Sequence, residues 1–282
     1  MQRKNIVTDG VLFIEDKLTS LDFANAENQP SPSDEEFEWN DDNAVVSNNA
    51  KHMKKITNKT KAIIINSPHN PTGSVLSAAD IIQLQNIVSN TGIFIISDEV
   101  YEHIVFDEEE HQSIARFPGL AERSFLVASF GKAFHNTGWK MGYCAGPVAL
   151  MKEFRKVHQF NVFSVNHPVQ KALATYLEDK EHYLSLPKFF QAKRDLFLDA
   201  IKDSKFSFTP SSGTYFQLLD FRGITKESDL ELAKKWTREQ KLASIPVSAF
   251  YQNPNPDQRL LRFCFAKNND TLQKSLDILC RL

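Results

Sequence analysis

The segment KAIIINSPHNPTGSVLSAADIIQLQNIVSNTGIFIISDEV, residues 61–100, decides the fold. Two short apolar runs rich in isoleucine, at 62–68 and 93–100, flank a stretch with helical spacing at about 78–89. Such runs predict strands that are buried on both faces, and a helix between two of them predicts a parallel pair. The segment therefore predicts an α/β fold whose functional residues lie at the carboxyl ends of the strands.

The regions on either side of this segment predict three parts of the chain. Further strands and helices at 124–177 extend the α/β pattern, whereas strands near 214–221, 243–250 and 260–266, with flanking helices, predict a smaller α+β unit. The first sixty residues are polar and show almost no apolar periodicity. We therefore predict an atypical segment that is loop-rich or disordered (1–60), a large domain with a mainly parallel sheet (61–180) and a C-terminal small domain (181–282).

Composition and charge exclude several classes of protein. The chain has 282 residues, of which 41% are hydrophobic, enough for a substantial core. Lysine plus arginine (33) nearly balance aspartate plus glutamate (35), which argues against nucleic-acid or membrane partners. Three dispersed cysteines suggest neither a disulfide framework nor a metal site, and the N-terminal apolar run is too short for a signal peptide. We expect a cytoplasmic protein without a metal.

Two polar motifs follow the first two strands of the deciding segment. The turn Pro68-His69-Asn70-Pro71-Thr72-Gly73 is rigid enough to aim the Asn70 amide at a ligand, although it also fits an ordinary strand-to-helix turn. Asp98 follows a strand too apolar to be solvated, so its carboxylate needs either a cationic partner or a capping role. Tyr101 lies three residues further on and could present its hydroxyl to the same pocket.

Two further motifs carry cationic side chains. Lys132 follows the strand SFLVA in a turn that contains glycine, where burial or a neighbouring cation would leave a nucleophilic amine suited to imine formation. Ser129 and Lys140 could together hold a phosphate. Arg262 lies within the apolar run LLRFCFA, and its guanidinium suits a carboxylate, although an edge-strand arginine paired with a surface acid would fit equally.

Taken in order, the motifs INSPHNPTG (65–73), ISDEVYEHIVF (96–106), SFGKAFHNTGWKMGY (129–143) and LLRFCFAK (260–267) resemble those of the fold-type I aminotransferases of class I/II. The motifs FSVNHP (163–168) and GTYF (213–216) resemble those of the kynurenine/glutamine and methionine aminotransferase branch. The resemblance implies the pyridoxal-phosphate-dependent transferase fold, a pyridoxal 5'-phosphate cofactor, a homodimer, and ping-pong transamination between an amino acid and a 2-oxo acid. Methionine, glutamine and aromatic amino acids are the implied substrates.

The resemblance also implies a role for each matched residue. Lys132 carries the cofactor covalently and moves the proton at the substrate α-carbon, while Asp98 pairs with the pyridine nitrogen. Tyr101 and Asn70 hydrogen-bond the phenolic oxygen of the cofactor. The remaining residues bind anionic groups: Ser129 and Lys140 contact the phosphate, and Arg262 holds the substrate carboxylate.

The resemblance starts only at about Lys61, and residues 1–60 offer no counterpart of the family's phosphate loop or of its ring-stacking aromatic residue. We therefore expect a truncated aminotransferase with a large domain that is incomplete. Two rival functions follow. One is a catalytically impaired remnant that acts only as a folded or partner-binding protein. The other is a pyridoxal-phosphate-dependent β-lyase, since Lys132 and Asp98 would serve elimination equally well.

Overall fold

The computed structural model describes residues 56–251, 253–255 and 257–282, together with the backbone of two strands nearer the N-terminus, Ile6–Thr8 and Val11–Glu15. The predicted α/β fold class is confirmed by one sheet that contains parallel strands and by a second, smaller sheet. Two strands occur within residues 1–60, where the sequence predicted loop. Residues 56–60 are also described, the remainder of that segment lies outside the described residues, and the three domain boundaries remain predictions.

The first sheet has six strands in the order β1-β2-β3-β4-β5-β6. They are β1 (Ile6–Thr8), β2 (Val11–Glu15), β3 (Thr60–Asn66), β4 (Phe94–Asp98), β5 (Ser124–Ser129) and β6 (Gly142–Ala145). The central strands β3, β4 and β5 run parallel, whereas the other three pairings are antiparallel. Asn66 pairs with Asp98, and Asp98 pairs with Val127, so the carboxyl ends of the three parallel strands meet at one edge.

Nine α-helices follow the first strands in the described part of the chain. They are α1 (Ala78–Val88), α2 (Pro118–Ala121), α3 (Phe130–Ala133), α4 (Val148–Asn161), α5 (His167–Tyr176), α6 (Glu181–Leu184), α7 (Leu186–Ile201), α8 (Asp229–Glu239) and α9 (Asn269–Leu279). Helix α1 begins with a capping box, in which the Ser77 and Asp80 side chains each accept from the other's backbone N–H. Its buried residues Ile81 and Val88 pack in one apolar cluster with Ile63 and Ile95 of the sheet.

The second sheet has the antiparallel order β7-β9-β8, with β7 (Phe216–Asp220), β8 (Ile245–Pro246) and β9 (Leu260–Cys264). The sequence predicted a strand over 243–250, but only two of those residues form one. The chain then turns into a 3₁₀ helix at Val247–Phe250, because Asp229 accepts a hydrogen bond of 2.7 Å from the Ser248 N–H. Pro246 also lacks an N–H for a longer ladder.

The two sheets are joined by the segment 211–214, which packs against both the turn after β3 and the loop after β4. Gly213 donates to the carbonyl of Gly73 at 2.8 Å, and Thr214 donates to Ile104 at 2.9 Å. Arg194 of α7 is 4% exposed and donates to the Ser211 carbonyl at 2.9 Å. The same guanidinium pairs with both Asp107 carboxylate oxygens, so the elements on which the site is built are held in a fixed relation.

Within these described ranges, the helices are too short or too polar to cross a membrane.

Candidate active site

The turn 67–73 is anchored to the end of β4 by the Asn66 side chain. Its amide donates to the Asp98 carbonyl at 2.9 Å, and its oxygen accepts from the Asn70 N–H at 2.9 Å. Gly73 ends the turn with a φ of 72°, a conformation that glycine adopts without steric strain. The Asn70 side chain is therefore presented on the same edge of the sheet as Asp98, as the sequence predicted.

Asp98 stands at this edge with a carboxylate that is only partly solvated. Its carboxylate accepts from the Val100 N–H at 3.2 Å, so it caps a turn as well as facing the site. Among the described residues, none forms an ion pair with it. Burial raises the pKa of Asp98 above its usual range, and the Glu99 charge adds to this, whereas the Val100 hydrogen bond and the Lys132 charge oppose it. The site thus holds a partly buried carboxylate close to Lys132.

Tyr101 is 2% exposed and lies between the two sheets. Its ring meets the Tyr215 ring edge-on at 5.3 Å and the Phe216 ring at 6.1 Å. Burial raises the pKa of its phenol, and the neighbouring Tyr215 phenol raises it further, so the hydroxyl stays protonated and can act as a donor. The charges of Arg262 and Asp98 also act on the Tyr101 phenol, which places all three residues in one site.

Lys132 lies on the short helix α3, directly after β5. Ser129 caps this helix by accepting from the Gly131 N–H at 3.1 Å, and its hydroxyl donates to the Met141 carbonyl at 3.3 Å. The Lys132 side chain is half-buried, and among the described residues it has no ion-pair partner within 4 Å. A lysine held in this way can offer its amine to a ligand rather than to a protein carboxylate.

Lys140 lies next to the end of β5 because β6 returns antiparallel to it. Ser129 pairs with Gly142, and Lys140 precedes that residue by two positions. The Lys140 side chain is exposed, and its backbone is left-handed with a φ of 54°. Within the described part of the chain, no interaction joins it to the other predicted site residues, and the Ser129 hydroxyl is engaged in the helix cap.

Arg262 projects from β9 toward the turn that carries Asn70. Its guanidinium lies 3.9 Å from the Phe216 ring centroid and 5.3 Å from that of Phe250. One terminal nitrogen donates to the Asn70 side-chain oxygen, while the buried Nε has no partner. In the described residues no carboxylate pairs with Arg262, and burial lowers its pKa below the usual value. The guanidinium therefore stacks on Phe216 and is oriented by Asn70, and it has no anionic partner among the described residues.

The structure thus brings five of the seven predicted site residues together, namely Asn70, Asp98, Tyr101, Lys132 and Arg262. Sequence reasoning did not assign a role to three aromatic residues that line the same region, which are Tyr215, Phe216 and Phe250. The motif GTYF signals the first two. Phe250 stands in a run that predicted a strand, and it reaches Arg262 only because that run turns into a 3₁₀ helix.

Comparison with known proteins places this arrangement in a family. The family model for aminotransferase class I and II matches residues 36–279. This chain belongs to that family, whose members take pyridoxal 5'-phosphate as cofactor.

The chain is 43% identical over 228 residues to methionine aminotransferase of Escherichia coli, which covers 80% of this chain and 59% of that protein. Kynurenine–oxoglutarate transaminase of Dictyostelium discoideum is 36% identical over 249 residues, covering 80% of this chain and 57% of its own length. The chain therefore spans somewhat more than half the length of these relatives.

Two solved structures are similar in fold. An Escherichia coli protein with a methionine aminotransferase function superposes with a TM-score of 0.80 at 42% identity, covering 83% of this chain and 62% of that one. N-Succinyldiaminopimelate aminotransferase from Mycobacterium tuberculosis superposes with a TM-score of 0.78 at 35% identity, covering 82% and 61%. These likenesses confirm the pyridoxal-phosphate-dependent transferase fold that the motifs predicted.

The residues of the site fit the cofactor and an amino acid substrate. No described residue forms an ion pair with Asp98, and a protonated pyridine nitrogen would supply one. Arg262 has a buried donor without an acceptor, which a carboxylate would fill. Lys132 lies close enough to Asp98 for their charges to interact. A carboxylate, an amine and a guanidinium that form no ion pair within 4 Å among the described residues are the complement of these ligands.

Proposed function

We propose that this chain is a pyridoxal-phosphate-dependent aminotransferase that moves an amino group between an amino acid and a 2-oxo acid by a ping-pong mechanism. The observation that carries the proposal is the Lys132 amine near the Asp98 carboxylate, neither of which forms an ion pair among the described residues, with Arg262 in the same site. The names of the relatives favour methionine and kynurenine-type aromatic amino acids as substrates, with glutamine also consistent with the motifs.

In this mechanism the cofactor supplies an electron sink for the charge that develops at the substrate α-carbon. Lys132 would hold the cofactor through its side-chain amine and, once released by the substrate, would take a proton from the substrate α-carbon and return it. Asp98 would pair with the pyridine nitrogen of the bound cofactor, and its carboxylate would stabilise the positive charge there. Arg262 binds the substrate carboxylate through its fork, so that the α-hydrogen is oriented toward Lys132.

The other predicted residues position the two ligands. Asn70 already accepts from Arg262, so its side-chain oxygen orients the guanidinium, and its amide nitrogen would donate to the phenolic oxygen of the bound cofactor. Tyr101 would donate to that same oxygen. Ser129 and Lys140 are proposed to contact the phosphate, with Lys140 as the charge and the Ser129 hydroxyl as a donor when it leaves the Met141 carbonyl.

Borohydride reduction after addition of pyridoxal 5'-phosphate, followed by peptide mass mapping, tests the proposal. We expect the cofactor mass on the peptide that contains Lys132, and no tag in Lys132→Ala. Lys152→Ala, which removes an exposed lysine of α4, serves as the matched control and should be labelled like the parent protein. A parent protein without the tag would refute the proposal.

Product analysis separates the proposal from its two rivals. Transfer of amino nitrogen from methionine or kynurenine to a 2-oxo acid supports an aminotransferase. Release of pyruvate and ammonia from a cysteine-type substrate supports a β-lyase. A tagged protein that gives neither reaction would be the impaired homologue.

We also propose that the protein is a cytoplasmic homodimer. Support for a dimer comes from the aromatic residues Phe160 and Phe163, which are 87% and 80% exposed at the end of α4. Support for a reducing compartment comes from Cys144, Cys264 and Cys280, which are all free thiols.

A further inference from the structure

We infer that His69 is a positioning residue, whose buried side chain holds the turn 67–73 in the form that presents Asn70 to Arg262. The inference rests on the proposed function, because Arg262 is the residue proposed to bind the substrate carboxylate. The roles that the motifs imply leave His69 out, although it immediately precedes Asn70 in the chain.

The His69 imidazole is buried and hydrogen-bonded within the turn. The residue is 7% exposed, and burial of a polar group is unfavourable unless the group has a hydrogen-bond partner. Its Nδ1 lies 2.7 Å from the Thr72 hydroxyl, which lies 2.7 Å from the Ser74 hydroxyl and accepts from the Ser74 N–H at 3.2 Å. A row of side-chain hydrogen bonds therefore crosses the turn from His69 to the residue that follows Gly73.

The backbone of His69 joins the same two ends of the turn. Its N–H donates to the Ser74 carbonyl at 2.8 Å, and its carbonyl accepts from the Gly73 N–H at 2.8 Å. The next residue, Asn70, donates its N–H to the Asn66 side chain at 2.9 Å. The peptide that carries the Asn70 side chain is thus anchored on both sides, to the end of β3 through Asn66 and to the far side of the turn through His69.

The position of Asn70 bears directly on Arg262. The guanidinium lies 3.9 Å from the Phe216 ring centroid, and stacking of this kind fixes the plane of the group but not its direction within that plane. The hydrogen bond to the Asn70 oxygen fixes the direction. A carboxylate binds both arms of the fork only when the guanidinium points at it, so a looser turn would weaken the binding of the substrate carboxylate.

Hydrogen exchange in the cofactor-free protein tests the first step, which is the effect of His69 on the turn. His69→Phe keeps a ring and removes the hydrogen bond to Thr72, whereas His69→Asn can place a side-chain amide near the position of Nδ1. We expect the peptide that contains residues 67–76 to exchange about 5- to 10-fold faster in His69→Phe, as the loss of one hydrogen bond implies, and at the parent rate in His69→Asn.

His182→Phe is the matched control for this measurement. It removes an imidazole whose Nδ1 lies 2.7 Å from the Tyr176 carbonyl, and it should leave the exchange of residues 67–76 unchanged. If His69→Phe also leaves the exchange of these residues unchanged, the inference is overturned.

Steady-state kinetics of the loaded protein test the second step, from the turn to the substrate. Because the substrate carboxylate is bound in the ground state and in the transition state alike, weaker binding raises KM and leaves kcat in place. We expect His69→Phe to raise the KM for the amino acid about 2- to 10-fold with kcat within about twofold of the parent, and His69→Asn to restore the KM. A lowered kcat at unchanged KM would show that His69 serves only the fold, and this result overturns the inference.

Thr72 provides a second pair of variants at a half-buried position, on the other side of the same hydrogen bond. Thr72→Val removes the hydroxyl and should raise the exchange rate and the KM as His69→Phe does, while Thr72→Ser keeps the hydroxyl and should change neither. Equal behaviour of the two Thr72 variants would overturn the inference. A parent protein without transamination refutes the proposed function instead, and hydrogen exchange then decides the role of His69 in the turn.

Discussion

Asp98 shows how a single residue can be useful for a ligand and unfavourable for the fold. Its raised pKa means that the folded protein binds the proton more tightly than the unfolded chain does. Its contribution to stability therefore falls as the pH rises through the raised pKa, and the penalty for its charge is fully present above that pKa. The binding of a cationic group next to Asp98 would remove that penalty.

We therefore expect Asp98→Asn to maintain or raise the unfolding stability of the cofactor-free protein at pH 7 while lowering transaminase turnover. The loss of a charge-assisted hydrogen bond corresponds to about 10- to 150-fold in rate. Denaturant unfolding and steady-state kinetics measure the two effects. Asp203→Asn, at an exposed position before β7, is the control and should change neither. A destabilised Asp98→Asn would show that this carboxylate serves the fold.

The adjacent Glu99 differs from Asp98, because its pKa is lowered rather than raised. It is 1% exposed and accepts from Ser97 at 2.8 Å, from the Ile114 N–H at 2.9 Å and from His111 at 2.8 Å. Burial acts to raise the pKa of Glu99, but the hydrogen bonds and the His111 charge outweigh burial and hold the pKa below 4.5. Its ionised form therefore stabilises the loop that follows Tyr101.

Glu99→Gln is expected to lower the unfolding free energy by about 1.5–3 kcal/mol at neutral pH. Since the folded pKa is lowered, this contribution is complete above pH 4.5 and disappears as the pH falls through the lowered value. Unfolding curves of the two proteins should therefore converge in acid. Glu110→Gln removes an exposed pair with Arg116 and should stay within about 0.5 kcal/mol of the parent at every pH. If the difference in unfolding free energy between the parent protein and Glu99→Gln stays constant down to pH 2, the ionised Glu99 carboxylate is not what stabilises the loop.

At the scale of elements, the turn after β3 is positioned by its contact with the segment before β7. A side chain at Gly73 would collide with Ser211 and approach the Gly213 carbonyl to 3.0 Å, and the φ of 72° would strain it as well. The turn places Asn70, and Asn70 accepts from Arg262. A change at Gly73 should therefore affect both folding and the binding of the substrate carboxylate.

We expect Gly73→Ala to destabilise the protein by about 1–3 kcal/mol and to raise the KM for amino acids more than it lowers kcat. Gly92→Ala is a close control, because a Cβ at that position meets nothing within 4 Å, and it should stay within about 0.5 kcal/mol of the parent. Thermal unfolding and initial-rate kinetics provide the measurements. Equal effects of the two substitutions would contradict the proposed contact between turn and segment.

At the scale of the whole molecule, the exposed aromatic residues at the end of α4 bear on assembly. Phe160 and Phe163 are almost fully exposed in the single chain, which is unfavourable in water unless another surface covers them. We expect the double variant Phe160→Ser/Phe163→Ser to shift the sedimentation coefficient from dimer to monomer. Leu230→Ser, which removes an exposed apolar residue of α8, should leave the association unchanged. A parent protein that sediments as a monomer at all concentrations would exclude the dimer.

The sequence by itself determined the α/β class, the bounds of most helices and strands to within a few residues, and the family. It could do so because buried parallel strands and amphipathic helices have local periodicities, and because Asn70, Asp98, Lys132 and Arg262 stand in motifs at fixed places in the chain. Its prediction of a strand over 243–250 was largely wrong, since Asp229, far away in sequence, turns that run into a 3₁₀ helix.

Only the tertiary structure decided which side chains have partners and which lack them. It showed that neither Asp98 nor Arg262 forms an ion pair within the described residues, and that Ser129 caps a helix. It also joined Tyr215 to Tyr101 across 114 positions of the chain. Local sequence patterns report which face of an element is buried, whereas contacts of this kind form only when distant segments pack together.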